Sequence, residues 1–258
     1  MNLKEKVVMI TGAAGGIGFA TAKACTKYGA SIVAVDMNQA LLDEKVKELN
    51  DMGGNAIGLV ADVTKRDSVA AAVQAAMDKF QKIDCLFNNA GVCIGNMMLD
   101  VSDTEYDKTM DIDVKGAFIV GTEVAKVMIP KKKGRIVNTA SISSYRGEYG
   151  NMIYCMAKAA VKMMTQGFAI EWSEHGITTN AIAPGHIHTT LLHNAFVDKA
   201  RAEHKPVEQF YDEMAKTIAV GRLGNPEEIG EVVAFLFDDR SYYINGVTML
   251  IDGGKGME

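Results

Sequence analysis

The sequence has only four cysteines, Cys25, Cys85, Cys93 and Cys155, and no two of them form a paired motif. That argues against a disulfide frame or a Cys-based zinc site and fits free thiols in a reducing compartment. Long apolar runs are also missing, which excludes a chain that crosses the bilayer as helices. Basic charge is scarce: 27 Lys and Arg stand against 32 Asp and Glu, for a net charge of −5. The one basic cluster, Lys131-Lys132-Lys133 with Arg135, reads as a solvated turn before a strand. A nucleic-acid or polyanionic-membrane partner needs a dominant basic face, and neither is expected. No linker, low-complexity stretch or internal repeat divides the sequence. Its first strand-like run follows the N-terminus almost at once, leaving no room for a signal peptide, so a cytoplasmic protein is expected.

What is present is 258 residues of ordinary globular composition, enough for one sizeable core, and a regular alternation of apolar strands and amphipathic helices. Strands are expected at Val7–Ile10, Ile32–Val35, Ala56–Val60, Ile83–Phe87, Arg135–Thr139, Thr178–Ile182 and Val247–Ile251. Helices are expected over 19–25, 39–52, 68–80, 104–128 and 152–174. Strands joined by helical crossovers predict an α/β fold, a doubly wound parallel sheet of Rossmann type covered on both faces. The chain reads as one dinucleotide-binding catalytic domain, 1–258, with a small helical lid over roughly 186–220. Asn225-Pro226-Glu227-Glu228 supplies a cap, a proline at the first helical position and two acids in the first turn.

Glycine is plentiful where it matters. Thr11-Gly12-Ala13-Ala14-Gly15-Gly16-Ile17-Gly18 lies between the first strand and the first helix. Residues without a Cβ let this turn close tightly and bring backbone N–H groups against a pyrophosphate at the helix N-terminus. Gly12, Gly16, Ile17 and Gly18 are therefore cofactor-binding candidates. Asp36 ends the second strand about twenty residues further on, where a carboxylate accepts hydrogen bonds from the adenosine ribose. It repels a 2′-phosphate, and neither Gly15 nor Met37 offers a guanidinium to offset that repulsion, so NAD is the expected cofactor. Asp62-Val63 follows the third strand, placed to meet an adenine edge.

Tyr154 and Lys158 are one helical turn apart and share a face, and Ser141 follows the Ile136-Val137-Asn138 strand at the carboxyl edge of the sheet. A phenol can exchange a proton with an alcohol or ketone, but its free pKa of about 10 must fall by ~2–3 units for work near neutral pH. An ammonium about 5 Å away contributes about 3 kcal/mol at an effective dielectric of 20, so Lys158 is expected to supply nearly all of that lowering. Ser141 is expected to position the substrate oxygen.

Taken in order, Thr11-Gly12-x3-Gly16-Ile17-Gly18, Asp62, Asn88-Asn89-Ala90-Gly91, Ser141, Tyr154-x3-Lys158 and Pro184-Gly185-x3-Thr189 resemble the short-chain dehydrogenase/reductase family over nearly the whole chain. The resemblance implies hydride transfer between a nicotinamide cofactor and a CH–OH group. It also implies a homotetramer built through the helices near 104–128 and 152–174. Asn89 would lie along the adenosine side, Lys158 would also hold the nicotinamide ribose together with Tyr154, and Ile187 and Thr189 would meet the carboxamide. One position departs from the family: Asp113 stands where asparagine is usual and supports a water linked to the lysine. Asp113 is retained as a catalytic candidate, its charge favouring cationic Lys158.

Substrate contacts are expected from Ser143, Arg146, Glu148, Tyr149 and His186. His186, His188 and His193 read as pocket or surface groups, and no metal is expected. Three readings stay open: an NAD-dependent secondary-alcohol dehydrogenase acting on a polyol, hydroxy acid or hydroxysteroid; a 3-oxoacyl thioester reductase; and a non-catalytic NAD-binding sensor.

Overall fold

Val7–Thr11 forms β1, and all five residues are buried. Its alternate side chains serve opposite faces: Val8 and Ile10 enter one core, Val7 and Met9 the other. Strands apolar on both faces require cover on both, and the helical crossovers provide it. In the structure, a computed structural model describing residues 1–257, the strands β2 (Ser31–Asp36), β3 (Asn55–Val60), β4 (Cys85–Asn88), β5 (Gly134–Thr139), β6 (Ile177–Pro184) and β7 (Thr248–Ile251) join β1 in one sheet of order β3-β2-β1-β4-β5-β6-β7. Every neighbouring pair is parallel.

The helices are α1 (Gly16–Lys27), α2 (Gln39–Asp51), α3 (Arg66–Phe80), α4 (Asp103–Thr109), α5 (Ala117–Met128), α6 (Met152–Trp172), α7 (Thr190–Glu203), α8 (Val207–Lys216) and α9 (Pro226–Phe237). On one face of the sheet, Phe19 and Ala22 of α1 meet Leu42 and Leu49 of α2 and Ile229, Val233 and Phe237 of α9. On the other, Val69 and Val73 of α3, Val120 and Val124 of α5, and Phe168 and Trp172 of α6 form the second core. Each fully buried large side chain in these layers stabilises the fold by about 1.5–3 kcal/mol. Gly230 of α9 lets α1 come close, since a Cβ there would lie 2.8 Å from the carbonyl oxygen of Ala20.

Local sequence sets the helix starts. Asn38 accepts the N–H of Leu41 at the head of α2, and Ser102 and Glu105 form a reciprocal capping box at α4. At α9 the Glu228 carboxylate accepts the Asn225 N–H at 2.8 Å.

Two expectations change. The single helix expected over 104–128 is three pieces: α4, a π-helical segment Met110–Gly116, and α5. The wider turn carries Asp113 inward, where its side chain is buried. The fourth strand starts at Cys85 instead of Ile83, because the Asp84 carboxylate accepts the backbone N–H of Val7 across the strand entrance. The segment expected to form a lid carries two helices, α7 and α8, which close on their own small core of Phe196, Ala200, Phe210, Ile218 and Leu223. No helix is long and apolar enough to cross a membrane.

Candidate active site

The strand order reverses between β1 and β4, so their carboxyl ends diverge into a crevice, the usual ligand position in such sheets. Thr11 and Asn89 pin its floor. The Asn89 N–H donates to Thr11 Oγ1 at 2.9 Å, and Asn89 Nδ2 donates to the Thr11 carbonyl at 3.1 Å. Thr139 Oγ1, at the end of β5, donates to Asn89 Oδ1 at 3.3 Å.

The glycine turn is as tight as its composition suggests. Gly12 has φ +62°, and a Cβ on Gly18 would lie 2.2 Å from the Gly12 carbonyl oxygen. Gly16 faces Thr189, whose Cγ2 would be 3.0 Å from an added Cβ. The crevice opens into a cavity of about 590 Å³ whose walls include Gly12, Gly16, Ile17, Asp36, Asp62, Val63, Asn89, Tyr154, Lys158 and Thr189. A glycine-bounded cradle at the N-terminus of α1 fits a dinucleotide pyrophosphate.

Asp36 is held by two backbone donors, Ala14 N–H to Oδ2 and Asn38 N–H to Oδ1, each at 3.1 Å. Asp62 Oδ1 accepts from the backbone and hydroxyl of Thr64 at 2.9 and 2.7 Å. The Thr64 hydroxyl is the main reason its carboxyl lies below the usual range. The Ile187 side chain is buried in the core, and its segment pairs with Gly224 through the bonds on either side. Any contact from Ile187 to a ligand must come from its backbone. Thr189, by contrast, faces the cavity and caps α7 by accepting the Leu192 N–H.

The chemistry sits where β5, the π segment and α6 meet. Lys158 Nζ donates to the Thr139 carbonyl at 3.1 Å and stands 3.2 Å from Asp113 Oδ2. Both side chains are almost wholly buried. Asp113 Oδ1 accepts the Val92 N–H at 2.7 Å, while Oδ2 has no well-aligned hydrogen bond and is compensated by the ammonium alone. Burial is the strongest single influence on Lys158 and would lower its pKa. Asp113, and then Tyr154, outweigh it and hold the ammonium above its ordinary value. Gly91 packs closely here, since an added Cβ would lie 3.0 Å from Asp113 Oδ1 and 3.2 Å from Lys158 Nζ.

Tyr154 lines the cavity with the Lys158 ammonium 5.4 Å from its ring centre. Here the expectation of a lowered phenol pKa fails. Desolvation is the largest effect and pushes Tyr154 up to about 12; Lys158 and a hydrogen bond with Ser141 pull it down without offsetting burial, and Cys93 and Asp113 add to the rise. A sequence shows the ammonium but not the dryness of the wall around the phenol. Ser141 is buried and donates to Ser143 Oγ at 3.1 Å, so these two predicted residues form one unit.

Arg146, Glu148, Tyr149 and His186 line a second cavity of about 500 Å³ under the lid. Three further groups were not singled out from the sequence. Cys93 lines the dinucleotide cavity, with Sγ 3.7 Å from Asn151 Oδ1. Lys199 of α7 and Lys255 near the chain end reach the second cavity. Only the hydrophobic pattern of α7 could have pointed to Lys199, and nothing local marks Lys255. Among the described residues no group of three or more His, Cys, Asp or Glu is arranged to hold a metal. His188 stacks on Tyr211, and His193 Nδ1 shares a 3.0 Å hydrogen bond with its hydroxyl.

The family model described as enoyl-(acyl carrier protein) reductase matches residues 12–255. The chain is 37% identical over 255 residues to oxidoreductase UcpA of Escherichia coli (strain K12), covering 98% of this chain and 95% of that protein. It is 35% identical over 254 residues to the 3-oxoacyl-[acyl-carrier-protein] reductase FabG of Thermotoga maritima, covering 98% and 99%. The solved structure of levodione reductase superposes with a TM-score of 0.94 at 33% identity, covering 98% of each chain. With the glycine cradle, the reversed strand order and the Ser141, Tyr154 and Lys158 constellation, these likenesses establish that the chain belongs to the short-chain dehydrogenase/reductase family of oxidoreductases, which bind a nicotinamide cofactor.

Proposed function

We propose that this protein is an NAD(H)-dependent oxidoreductase that interconverts a secondary alcohol and its ketone. The observation that carries the reading is the convergence of Ser141, Tyr154 and Lys158 at the inner end of the dinucleotide cavity, with Lys158 fixed by Thr139 and Asp113. When bound, the dinucleotide supplies or accepts the hydride at its nicotinamide ring, whose oxidised form is cationic. Ser141 holds the substrate oxygen by a hydrogen bond. The Tyr154 oxygen takes the hydroxyl proton in oxidation and returns it in reduction. Lys158 favours the phenolate by its charge, and Asp113 keeps that charge in place.

NAD over NADP rests on Asp36. Its two backbone donors fix the carboxylate at the cavity wall, and no arginine is among the described residues lining that cavity. A 2′-phosphate there would meet a fixed negative charge without a neighbouring guanidinium. Four free cysteines support a reducing, cytoplasmic setting. Exposed Phe118, Met156, Met163 and Ile170 on α5 and α6 support a homotetramer built through those helices. The thioester-reductase alternative takes its support from the likeness to FabG and from the matched family description.

The test is turnover with NAD and with NADP against secondary alcohols, polyols, hydroxy acids, hydroxysteroids and a 3-oxoacyl thioester, with Tyr154→Phe alongside. NAD-linked alcohol oxidation that the variant loses by about 10²–10⁴-fold supports the reading. Turnover confined to NADPH and the thioester overturns it. Dinucleotide binding with no turnover in any arm favours the sensor.

A further inference from the structure

The cavity under the lid has walls of two kinds. Phe196, Phe210 and Met214 form an apolar side from α7 and α8, with both phenyl rings buried. The cavity is also lined by charged groups from three distant parts of the chain: Arg146 and Glu148 from the loop after β5, Lys199 and Glu213 from the lid, and Lys255 from the segment after β7. The volume, about 500 Å³, suits a small organic molecule.

The charges differ in what they already hold. Glu148 accepts from Asn151 Nδ2 at 3.1 Å, and Glu213 accepts from Gln209 Nε2 at 2.6 Å. Lys199 lies 3.9 Å from Glu203 and rests over the Phe210 ring. Among the described residues, Arg146 and Lys255 form no ion pair and donate no side-chain hydrogen bond, although both are half-buried. Both cations line the cavity together with His186. Burial chiefly, with Lys255 and Arg146 adding and Glu148 opposing, keeps His186 below its ordinary pKa, so it is a neutral polar group here. With Lys199 paired to Glu203, Arg146 and Lys255 are the cavity's cations without an ion pair among the described residues, which suits an anionic group on the ligand. The cavity also borders the chemistry, because Asn151, which holds Glu148, also meets Cys93 on the wall of the dinucleotide cavity.

We infer that this cavity selects a carboxylate-bearing substrate, a hydroxy acid and its keto acid, with the carboxylate seated between Arg146 and Lys255 and the carbon chain against Phe196, Phe210 and Met214. The inference rests on the secondary-alcohol reading above and narrows it. A planar guanidinium meets a carboxylate with two parallel hydrogen bonds, and the ammonium adds a point charge. The carboxylate takes no part in the two-electron step. The carbinol carbon gives a hydride to NAD and the hydroxyl gives its proton to the Tyr154 oxygen, as for any secondary alcohol.

The experiment uses pairs that differ only in CO₂⁻ against CH₂OH: lactate and 1,2-propanediol, 3-hydroxybutyrate and 1,3-butanediol, gluconate and sorbitol. NAD-linked kcat/KM is measured for each member in the wild type, in Arg146→Gln and in the Arg146→Gln/Lys255→Gln double variant. Binding of each member to the NADH complex is measured in parallel by calorimetry. The ratio within a pair is the readout, because a folding defect lowers both members alike. The expected result is a preference for the acid of about tenfold or more in at least one pair, carried by KM, reduced in the single variant and erased in the double. Equal use of acid and alcohol in every pair overturns the inference and leaves the secondary-alcohol reading intact. Binding of an acid without turnover of any alcohol, lost in the double variant, supports the anion subsite and overturns that reading instead. A preference for the acid that survives in the double variant also overturns the inference.

Discussion

Asp113 Oδ2 stands 3.2 Å from Lys158 Nζ with both side chains buried, an ion pair formed directly by the residue that departs from the family's usual asparagine. The carboxylate raises the pKa of the ammonium and also raises that of the Tyr154 phenol. Asp113→Asn removes both effects. Alcohol oxidation needs phenolate and ammonium together, so both limbs of its pH profile are expected to move to lower pH. Turnover at the optimum should stay within about tenfold, since the amide can still hold the Val92 N–H or a water. Steady-state oxidation rates over a pH series check this; loss of nearly all turnover refutes it.

Tyr154 gives a second pH prediction. Burial sets its phenol at about 12 within the protein, above its ordinary value. The base form is therefore scarce at neutral pH and grows as pH rises, while the acid form dominates. Alcohol oxidation is expected to climb through the alkaline range, and ketone reduction to stay flat over the same interval. A flat oxidation profile from pH 6 to 9 under chemistry-limited conditions contradicts that assignment.

Gly18→Ala tests the cradle. The added methyl would lie 2.2 Å from the Gly12 carbonyl oxygen, against backbone that has no rotamer to move. The variant is expected to lose at least about 1–3 kcal/mol of stability, together with most of its NADH affinity. Thermal unfolding and NADH fluorescence titration read the two effects separately.

Glu228 offers a check remote from the site. Its carboxylate pairs with Arg222 at 2.7 Å and accepts the Asn225 N–H, which together lower its pKa to about 2. A carboxyl depressed on folding contributes stability above its unfolded value of about 4.3, and that contribution is lost as pH falls toward the folded value. The side chain is 45% exposed and solvent screens the pair, so Glu228→Gln is expected to lower Tm by only about 2 °C at pH 7. The gap between variant and wild type should close between about pH 4 and pH 2.

The sheet was legible because its strands are apolar on both faces and punctuated by glycine and capped helix starts. Gly12, Gly16 and Gly18 marked the cradle, and the Tyr154 to Lys158 spacing marked one helix face. What remained hidden depends on the fold. The π segment has no composition signature. The desolvation of Tyr154 comes from walls assembled out of distant segments. The burial of the Ile187 side chain in the core is set by tertiary packing that its place after β6 does not reveal. Lys255 is far in sequence from Arg146 and shares a cavity with it because β7 runs parallel to β6 and delivers the chain end to the same edge of the sheet.

The π segment Met110–Gly116 also determines how this stretch tolerates changes in length. Its wide turns hold an extra residue relative to an α-helix. Deleting one residue there restores the 3.6-residue repeat and leaves α4 and α5 near their present phase, so the change falls on the bulged residues themselves. Asp113 would swing off Lys158, and Gly116 would leave its place against Val63, where a Cβ would lie 2.8 Å from Val63 Cγ2. A surface loop absorbs such a deletion by slackening. Here a change of one residue in length removes the bulge itself, and the Asp113 carboxylate loses its place against Lys158.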